Sequence, residues 1–311
     1  MGIDFDRQVA IVTGSGRALG RAYAMEIARR GGSVVVSDIG DLDHPEGSRA
    51  DRVVAEIKAA GGKAVACTEN VAASEGAQKT INCAIDNFGR LDVMIHNAGI
   101  LRPNAIENLT DQEIMEVIAI HLLGAFYLAR PAWRIMKQQG YGRIVFICSS
   151  ATFGNTANSN YAAAKSGIIG LTTSLGLEAD GTGIKVNAVL PMAESDIDRD
   201  NPIPNPEHAA CRAVVDDMVG RRDPAWVSAL INYLASKQCV VNGKILSAFS
   251  GRYARVFPGI GGGWVSAEMP TAEQVGHHID EIMRTGDAFA PESMLEEFQQ
   301  LHGVLTEAGL I

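Results

Sequence analysis

The sequence predicts a doubly wound α/β fold built on a parallel sheet, and three observations predict it. Short apolar runs alternate with helix-period segments along most of the chain. The first run feeds a glycine-rich turn that opens a helix. The second run ends in an acid. Composition agrees, with 47% hydrophobic and 20% charged residues in a chain of 311, enough to bury a full core as one domain.

The first strand is expected at residues 8–13, from Gln8 to Thr13. Gly14-Ser15-Gly16-Arg17-Ala18-Leu19-Gly20 follows, leading into a helix over 18–30. Such a turn lets the backbone approach a pyrophosphate, whose charge sits at the helix N-terminus. Strand 33–38 ends in Asp38, eighteen residues after Gly20. That is where a dinucleotide fold places a carboxylate for the ribose hydroxyls. Strands at 64–67, 92–96, 142–148, 184–189 and 244–248 complete the sheet. Their β-branched, apolar character suits strands covered on both faces. Helices are expected at 49–60, 74–88, 111–138, 160–179 and 224–235, the last opened by Asp223-Pro224.

Two regions break this rhythm. Residues 192–222 hold Asp196, Asp198, Arg199, Asp200, three prolines and a short helical stretch. They follow a strand's C-terminal end, where α/β proteins bind ligands, and are expected to form a substrate lid; a plain surface insertion is the alternative. Residues 249–311 form an extension, with helical stretches at 271–284 and 291–308. It is expected to pack on the same domain, lining the pocket or building an oligomer contact.

Tyr161-Ala162-Ala163-Ala164-Lys165 is the strongest chemical signal. A phenol is a poor acid at neutral pH, with an ordinary pKa of about 10. A lysine four residues on along a helix lies on the same face, and its charge favours the phenolate. The pair then becomes a usable proton donor and acceptor.

Charge and targeting signals narrow the classes. The net charge is −9 and the pI near 5.3, which disfavours nucleic acid or an anionic membrane surface as partner. Cysteines 67, 83, 148, 211 and 239 show no C-x-x-C spacing, as expected of reduced thiols. No apolar stretch is expected to reach membrane-span length, and the acidic N-terminus lacks a signal-peptide core. Asp6 argues against myristoylation at Gly2. Ala308-Gly309-Leu310-Ile311 is neither a prenylation site nor a peroxisomal Ser-Lys-Leu address, so a cytoplasmic location is expected. His277 and His278 are adjacent and would diverge by about 100° on a helix, a poor metal pair; no catalytic metal is expected.

Taken together, TGSGRALG (13–20), His96-Asn97-Ala98-Gly99, Ser149-Ser150, YAAAK (161–165) and Val186-Asn187-Ala188-Val189-Leu190-Pro191 resemble the short-chain dehydrogenase/reductase family over residues 8–248. Within the family the chain is similar to the (3R)-hydroxyacyl-CoA dehydrogenase part of multifunctional enzymes of type 2. That likeness rests on GRALGRAYA (16–24), VVVSDIG (34–40), GGKAVA (61–66), NAGILR (97–102), HLLGAF (121–126) and YGRIVF (141–146). The resemblance implies a single Rossmann-type domain, 1–248, with the lid at 192–222 and the extension at 249–311. It implies reversible hydride transfer between a nicotinamide cofactor and a secondary alcohol or ketone. A homodimer or homotetramer through helices 111–138 and 160–179 is also implied. The first substrate expected is a 3-hydroxyacyl-CoA, with Arg102, Arg221, Arg222, Arg252 and Arg255 as candidates for its phosphates. The chain lacks the hydratase and lipid-transfer parts and is expected to act alone. A steroid or other bulky alicyclic alcohol is the alternative. A non-catalytic dinucleotide sensor is a reading from another class, against which Tyr161 and Lys165 argue.

Residue roles follow from the same resemblance. Tyr161 passes the proton, a serine bonds the substrate oxygen, and Lys165 binds the nicotinamide ribose and supports the tyrosine. Counting back thirteen residues from Tyr161 reaches Cys148, a poor donor. Strand register from Gly142-Arg143 selects Ser149, while the double serine selects Ser150; the expectation is Ser149. The usual asparagine of the central helix is His121 here, expected either to relay protons toward Lys165 or simply to pack. Gly14, Arg17, Leu19 and Gly20 are the candidates for the phosphates. Asn70 and Val71 take the adenine position; Asn97, Ala98 and Gly99 the sheet centre and ribose; Pro191 the nicotinamide; Ser195 the carboxamide. Asp38 favours NAD and repels the 2′-phosphate of NADP, whereas Arg17 leans the other way. A fixed anion beside a phosphate outweighs a solvated arginine, so NAD is expected.

Overall fold

The computed structural model describes residues 2–194, 206–218 and 220–310. Eight strands form one sheet in the order β3-β2-β1-β4-β5-β6-β7-β8. They are β1 Val9–Thr13, β2 Ser33–Ser37, β3 Lys63–Cys67, β4 Val93–His96, β5 Gly142–Ile147, β6 Ile184–Met192, β7 Lys244–Phe249 and β8 Arg252–Val256. Strands β1 to β7 pair in parallel. Every residue of β1 and β5 is buried, as a strand covered on both faces requires. The order runs outward from β1 in both directions, so the β1/β4 boundary is the point where the C-terminal strand ends open a crevice.

Helices α1 Ala18–Arg29 and α2 Arg49–Ala59, with helix Ala225–Ala235, cover one face. Their core joins Tyr23, Ile27, Val53, Ile57, Val227 and Ile231 to Val12, Val34 and Val36 of the sheet. Ser48 starts α2 through a capping box with Asp51, which satisfies two first-turn donors. Helices α3 Ser74–Phe88, α4 Asp111–Ile118, α5 Gly124–Gln139 and α6 Ser159–Glu178 form the other layer.

The helix expected over 111–138 is not uniform. Between α4 and α5 lies a π-helical turn, Ala119–Leu123, with His121 in it. A π turn inserts one extra residue into a helix and often stands at a functional site. By length and composition the whole stretch Asp111–Gln139 could cross a membrane, contrary to the sequence expectation. In the protein its Val117, Ile120, Ala125, Leu128, Ala132 and Met136 are buried in the core. On α6, two glycines meet different surroundings. A Cβ added to Gly167 would lie 2.8 Å from Leu122 Cδ2 of the π turn, whereas nothing lies within 4 Å of one added to Gly170.

Strand β8 lies at the start of the stretch that the sequence presents only as an extension. Ser250 and Gly251 join it to β7, both with positive φ, the two-residue connection of a hairpin. By contact the chain divides into two compact units, Met1–Arg255 and Val256–Ile311. The second unit contains an antiparallel bridge between Ile260 and Phe289 and a stack of Trp264 on His278 at 4.1 Å. It carries nine acidic side chains against one base, Arg284, and so eight of the nine negative charges of the whole chain.

Candidate active site

A cleft of about 520 Å³ lies across the C-terminal ends of the strands and spans from Asp38 after β2 to Tyr161 and Lys165 on α6. β2 and β5 are three strand spacings apart, roughly 14 Å, a span suited to an extended dinucleotide. Gly14, Arg17, Leu19, Gly20, Asn70, Val71, Ala98, Gly99, Ser149 and Pro191 also line the cleft. Ser195 lies outside the described residues.

The glycine-rich turn is closely packed and braced. Gly14 has φ +62°, and a Cβ on Gly20 would overlap the Gly14 carbonyl oxygen. Asn97 Nδ2 donates to the carbonyls of Thr13 and Gly14 at 3.1 and 3.0 Å. Asn97 is thus a brace for the turn. Among the described residues no side chain caps α1 and no acid stands in its first turn, so the partial charge of its N-terminus borders the cleft. At the far end the Asp38 carboxylate accepts from the Gly16 amide at 2.9 Å and the Gly40 amide at 2.8 Å. A glycine-rich turn, a helix N-terminus opening on the cleft and a fixed carboxylate fit a nicotinamide dinucleotide.

A polar chain ties this turn to the π turn. Thr13 Oγ1 accepts from the Asn97 and Ala98 amides at 3.1 and 3.0 Å. Its hydroxyl donates to His96 Nδ1 at 3.0 Å, and His96 Nε2 donates to the Ile120 carbonyl at 3.0 Å. The carbonyl can only accept, which fixes the tautomer. Burial above all, with the Lys165 charge, lowers the His96 pKa to about 4, so the ring stays neutral. Sequence reasoning assigned His96 no such role, although a histidine ending an apolar strand was a visible signal.

The reacting end centres on Tyr161. Its ring meets His121 edge-on at 5.0 Å between centroids, and Lys165 Nζ lies 5.6 Å from its centroid. Lys165 is 4% exposed and donates to the Ile147 carbonyl at 2.5 Å. Burial pushes its pKa down to about 8. His121 is 2% exposed. Its Nε2 faces the Ile100 peptide, 2.8 Å from the carbonyl oxygen and 3.2 Å from the amide nitrogen, so that either tautomer finds a partner there, while Nδ1 is buried with no hydrogen-bond partner among the described residues. Burial and the Lys165 charge hold the imidazole well below its usual pKa, hence neutral. Gly99 makes room for this ring, since a Cβ there would overlap His121 Cε1.

Cys148 faces α6, its Sγ donating to the Lys165 carbonyl at 3.2 Å. Ser149 and Ser150 both border the cleft, the first half-buried and the second exposed. Ser149 Oγ accepts from the Ala151 amide at 3.2 Å, opening a short 3-10 turn over Ser150–Phe153. That bond leaves its hydroxyl proton available to a substrate oxygen. Of the lid, helix Pro206–Asp216 is described, and its Cys211 borders the cleft. The segment's ends are tied where the Glu194 amide donates to the Arg222 carbonyl at 2.7 Å.

The candidate phosphate-binding arginines differ in availability. Arg102 pairs with Glu116 at 2.8 Å and Arg222 with Asp216 at 2.7 Å. Arg221 and Arg252 instead donate to Ser250 O and Ser247 Oγ. One cleft residue, Arg49 at the start of α2, went unassigned in the sequence; its distance from the glycine-rich motif hid it.

Comparison with known proteins agrees with this geometry. A short chain dehydrogenase family model matches residues 8–201. Peroxisomal multifunctional enzyme type 2 of Mus musculus is 39% identical over 251 residues, covering 79% of this chain and 32% of that protein. A putative short-chain type dehydrogenase/reductase of Mycobacterium tuberculosis is 36% identical over 253 residues, covering 80% and 84%. The crystal structure of a short chain dehydrogenase from Mycobacterium avium superposes with a TM-score of 0.78 at 35% identity, covering 93% of this chain and 98% of that one. The chain therefore matches most of the two mycobacterial proteins but only 32% of the mouse enzyme.

Proposed function

The chain belongs to the short-chain dehydrogenase family and is an oxidoreductase, and from that premise we propose that it interconverts a secondary alcohol and a ketone with NAD. The observation that carries this reading is Tyr161, set between neutral His121 and buried Lys165 at one end of a cleft whose other end holds Asp38. When bound, the nicotinamide supplies or accepts the hydride. The α1 N-terminus and the glycine-rich turn would hold its phosphates, Asp38 would accept from the adenosine ribose hydroxyls, and Lys165 would orient the nicotinamide ribose. Tyr161 Oη moves the alcohol proton, and Ser149 Oγ donates to the same oxygen to fix its position. His121 Nδ1, buried beside Tyr161, is the atom assigned to a water chain toward Lys165.

The substrate we propose is a 3-hydroxyacyl-CoA. Support comes from the motif likeness and from similarity to the mouse multifunctional enzyme. Arg221 and Arg252, which bond neutral oxygens, are the groups assigned to the CoA phosphates. A homodimer or homotetramer through the outer faces of α5 and α6 is part of the proposal, where Phe126 and Leu177 are 42% and 59% exposed. The test is NAD reduction against hydroxyacyl-CoAs, steroids and alicyclic alcohols, with Tyr161→Phe as control. Turnover on the hydroxyacyl-CoA should exceed that on the others, and Tyr161→Phe should fall below about a tenth of wild-type kcat while NAD still binds. Preference for a steroid would reject the substrate assignment, and an active Tyr161→Phe would reject the chemistry.

A further inference from the structure

We propose that Asp41 sets the cofactor preference by pairing with Arg49 and occupying its guanidinium at the ribose end of the cleft; this rests on the NAD reading, in which Asp38 holds that ribose. Arg49 is the first residue of α2 and borders the cleft with Asp38. A Cβ on Gly16 would lie 2.5 Å from Arg49 Cβ and 2.8 Å from Asp38 Cγ. A Cβ on Gly40 would lie 2.8 Å from Arg49 Nε and 3.0 Å from its Cζ. Gly16 and Gly40 are the two residues whose amides hold the Asp38 carboxylate. The guanidinium therefore stands beside the group that reads the ribose.

Asp41 reaches over from the same loop. Its Oδ1 lies 3.0 Å from Arg49 Nη2, and its Oδ2 lies 2.6 Å from Arg52 Nη2. To do so it adopts φ +55°, a left-handed backbone that an aspartate tolerates better than most residues. The Arg49 amide closes the turn by donating to the Gly40 carbonyl at 3.0 Å. The two arginines hold the Asp41 carboxyl down at about 2, so it is ionised at any working pH. A guanidinium is the group suited to a 2′-phosphate, which it binds by paired hydrogen bonds. Here a guanidinium donor is engaged, before any ligand arrives, by a carboxylate that Arg49 shares with Arg52, and a 2′-phosphate would have to displace that carboxylate beside Asp38. The chain thus contains the arginine of a 2′-phosphate site with its counter-ion built in.

Equilibrium binding tests this without turnover, using calorimetric titration of the full chain with 5′-ADP and 2′,5′-ADP. Wild type should prefer 5′-ADP. Asp41→Asn, which keeps the left-handed turn, should raise the relative affinity for 2′,5′-ADP about tenfold. The double variant Asp41→Asn/Arg49→Gln should return the ratio to the wild-type value. An unchanged ratio in Asp41→Asn, with a wild-type melting curve and the wild-type preference intact, overturns the proposal and leaves the NAD reading standing. A gain that survives loss of Arg49 also overturns it, assigning the phosphate to another cation such as Arg17. Wild type that already prefers 2′,5′-ADP defeats the NAD reading itself, and this inference with it.

Discussion

Lys165 is held where its charge is least comfortable. Burial lowers its pKa from 10.5 to about 8, a burden on the fold of roughly 3 kcal/mol. Below pH 8 the amine is protonated in folded and unfolded chains alike, so the burden is full. As pH rises from 8 toward 10.5 the folded chain gives up the proton first, and stability should rise. Lys165→Met should accordingly stabilise the cofactor-free protein at pH 7 by about 1–3 kcal/mol, less the lost bond to Ile147, while abolishing turnover. Urea midpoints at pH 7 and pH 10 check both statements, because the advantage should shrink at the higher pH. At the other end of the helix entrance, Ser149→Ala should reduce kcat more than Ser150→Ala, and the reverse ranking would move the role to Ser150. Tyr161 and Lys165 are legible in the sequence because four residues on a helix define one face. Arg49 is not, because it comes to the cleft through the left-handed turn at Asp41, which no periodicity records.

Among the elements, α6 is the one whose two glycines do different work. Gly167 lets the helix sit down on Leu122, so Gly167→Ala should overpack that contact and lower stability by about 1–3 kcal/mol. Gly170 opens to solvent, so Gly170→Glu should leave the subunit fold intact and weaken self-association instead. Thermal melts and light scattering separate the two, and a destabilised subunit in Gly170→Glu would reject the outward assignment. The parallel strands and the helix order are readable from apolar runs and turn residues. The π turn is not, since one inserted residue leaves the amphipathic pattern on either side nearly unchanged. Strand β8 escapes for another reason: Arg252-Tyr253-Ala254-Arg255 alternates too briefly beside the glycines to declare itself a strand.

For the whole molecule, the fold class follows from composition and element order, but the position of charge does not follow from a net value. The −9 of the chain is not spread evenly. With the unit Val256–Ile311 holding eight of those charges, Met1–Arg255 is left nearly neutral at pH 7. A protein body near zero charge loses its mutual repulsion and tends to precipitate. A chain ended at Arg255 should therefore show an isoelectric point well above 5.3 and a solubility minimum near neutral pH, where the full chain stays dispersed. Whatever else the last fifty-six residues do, they carry nearly all of the net charge by which one molecule can repel another.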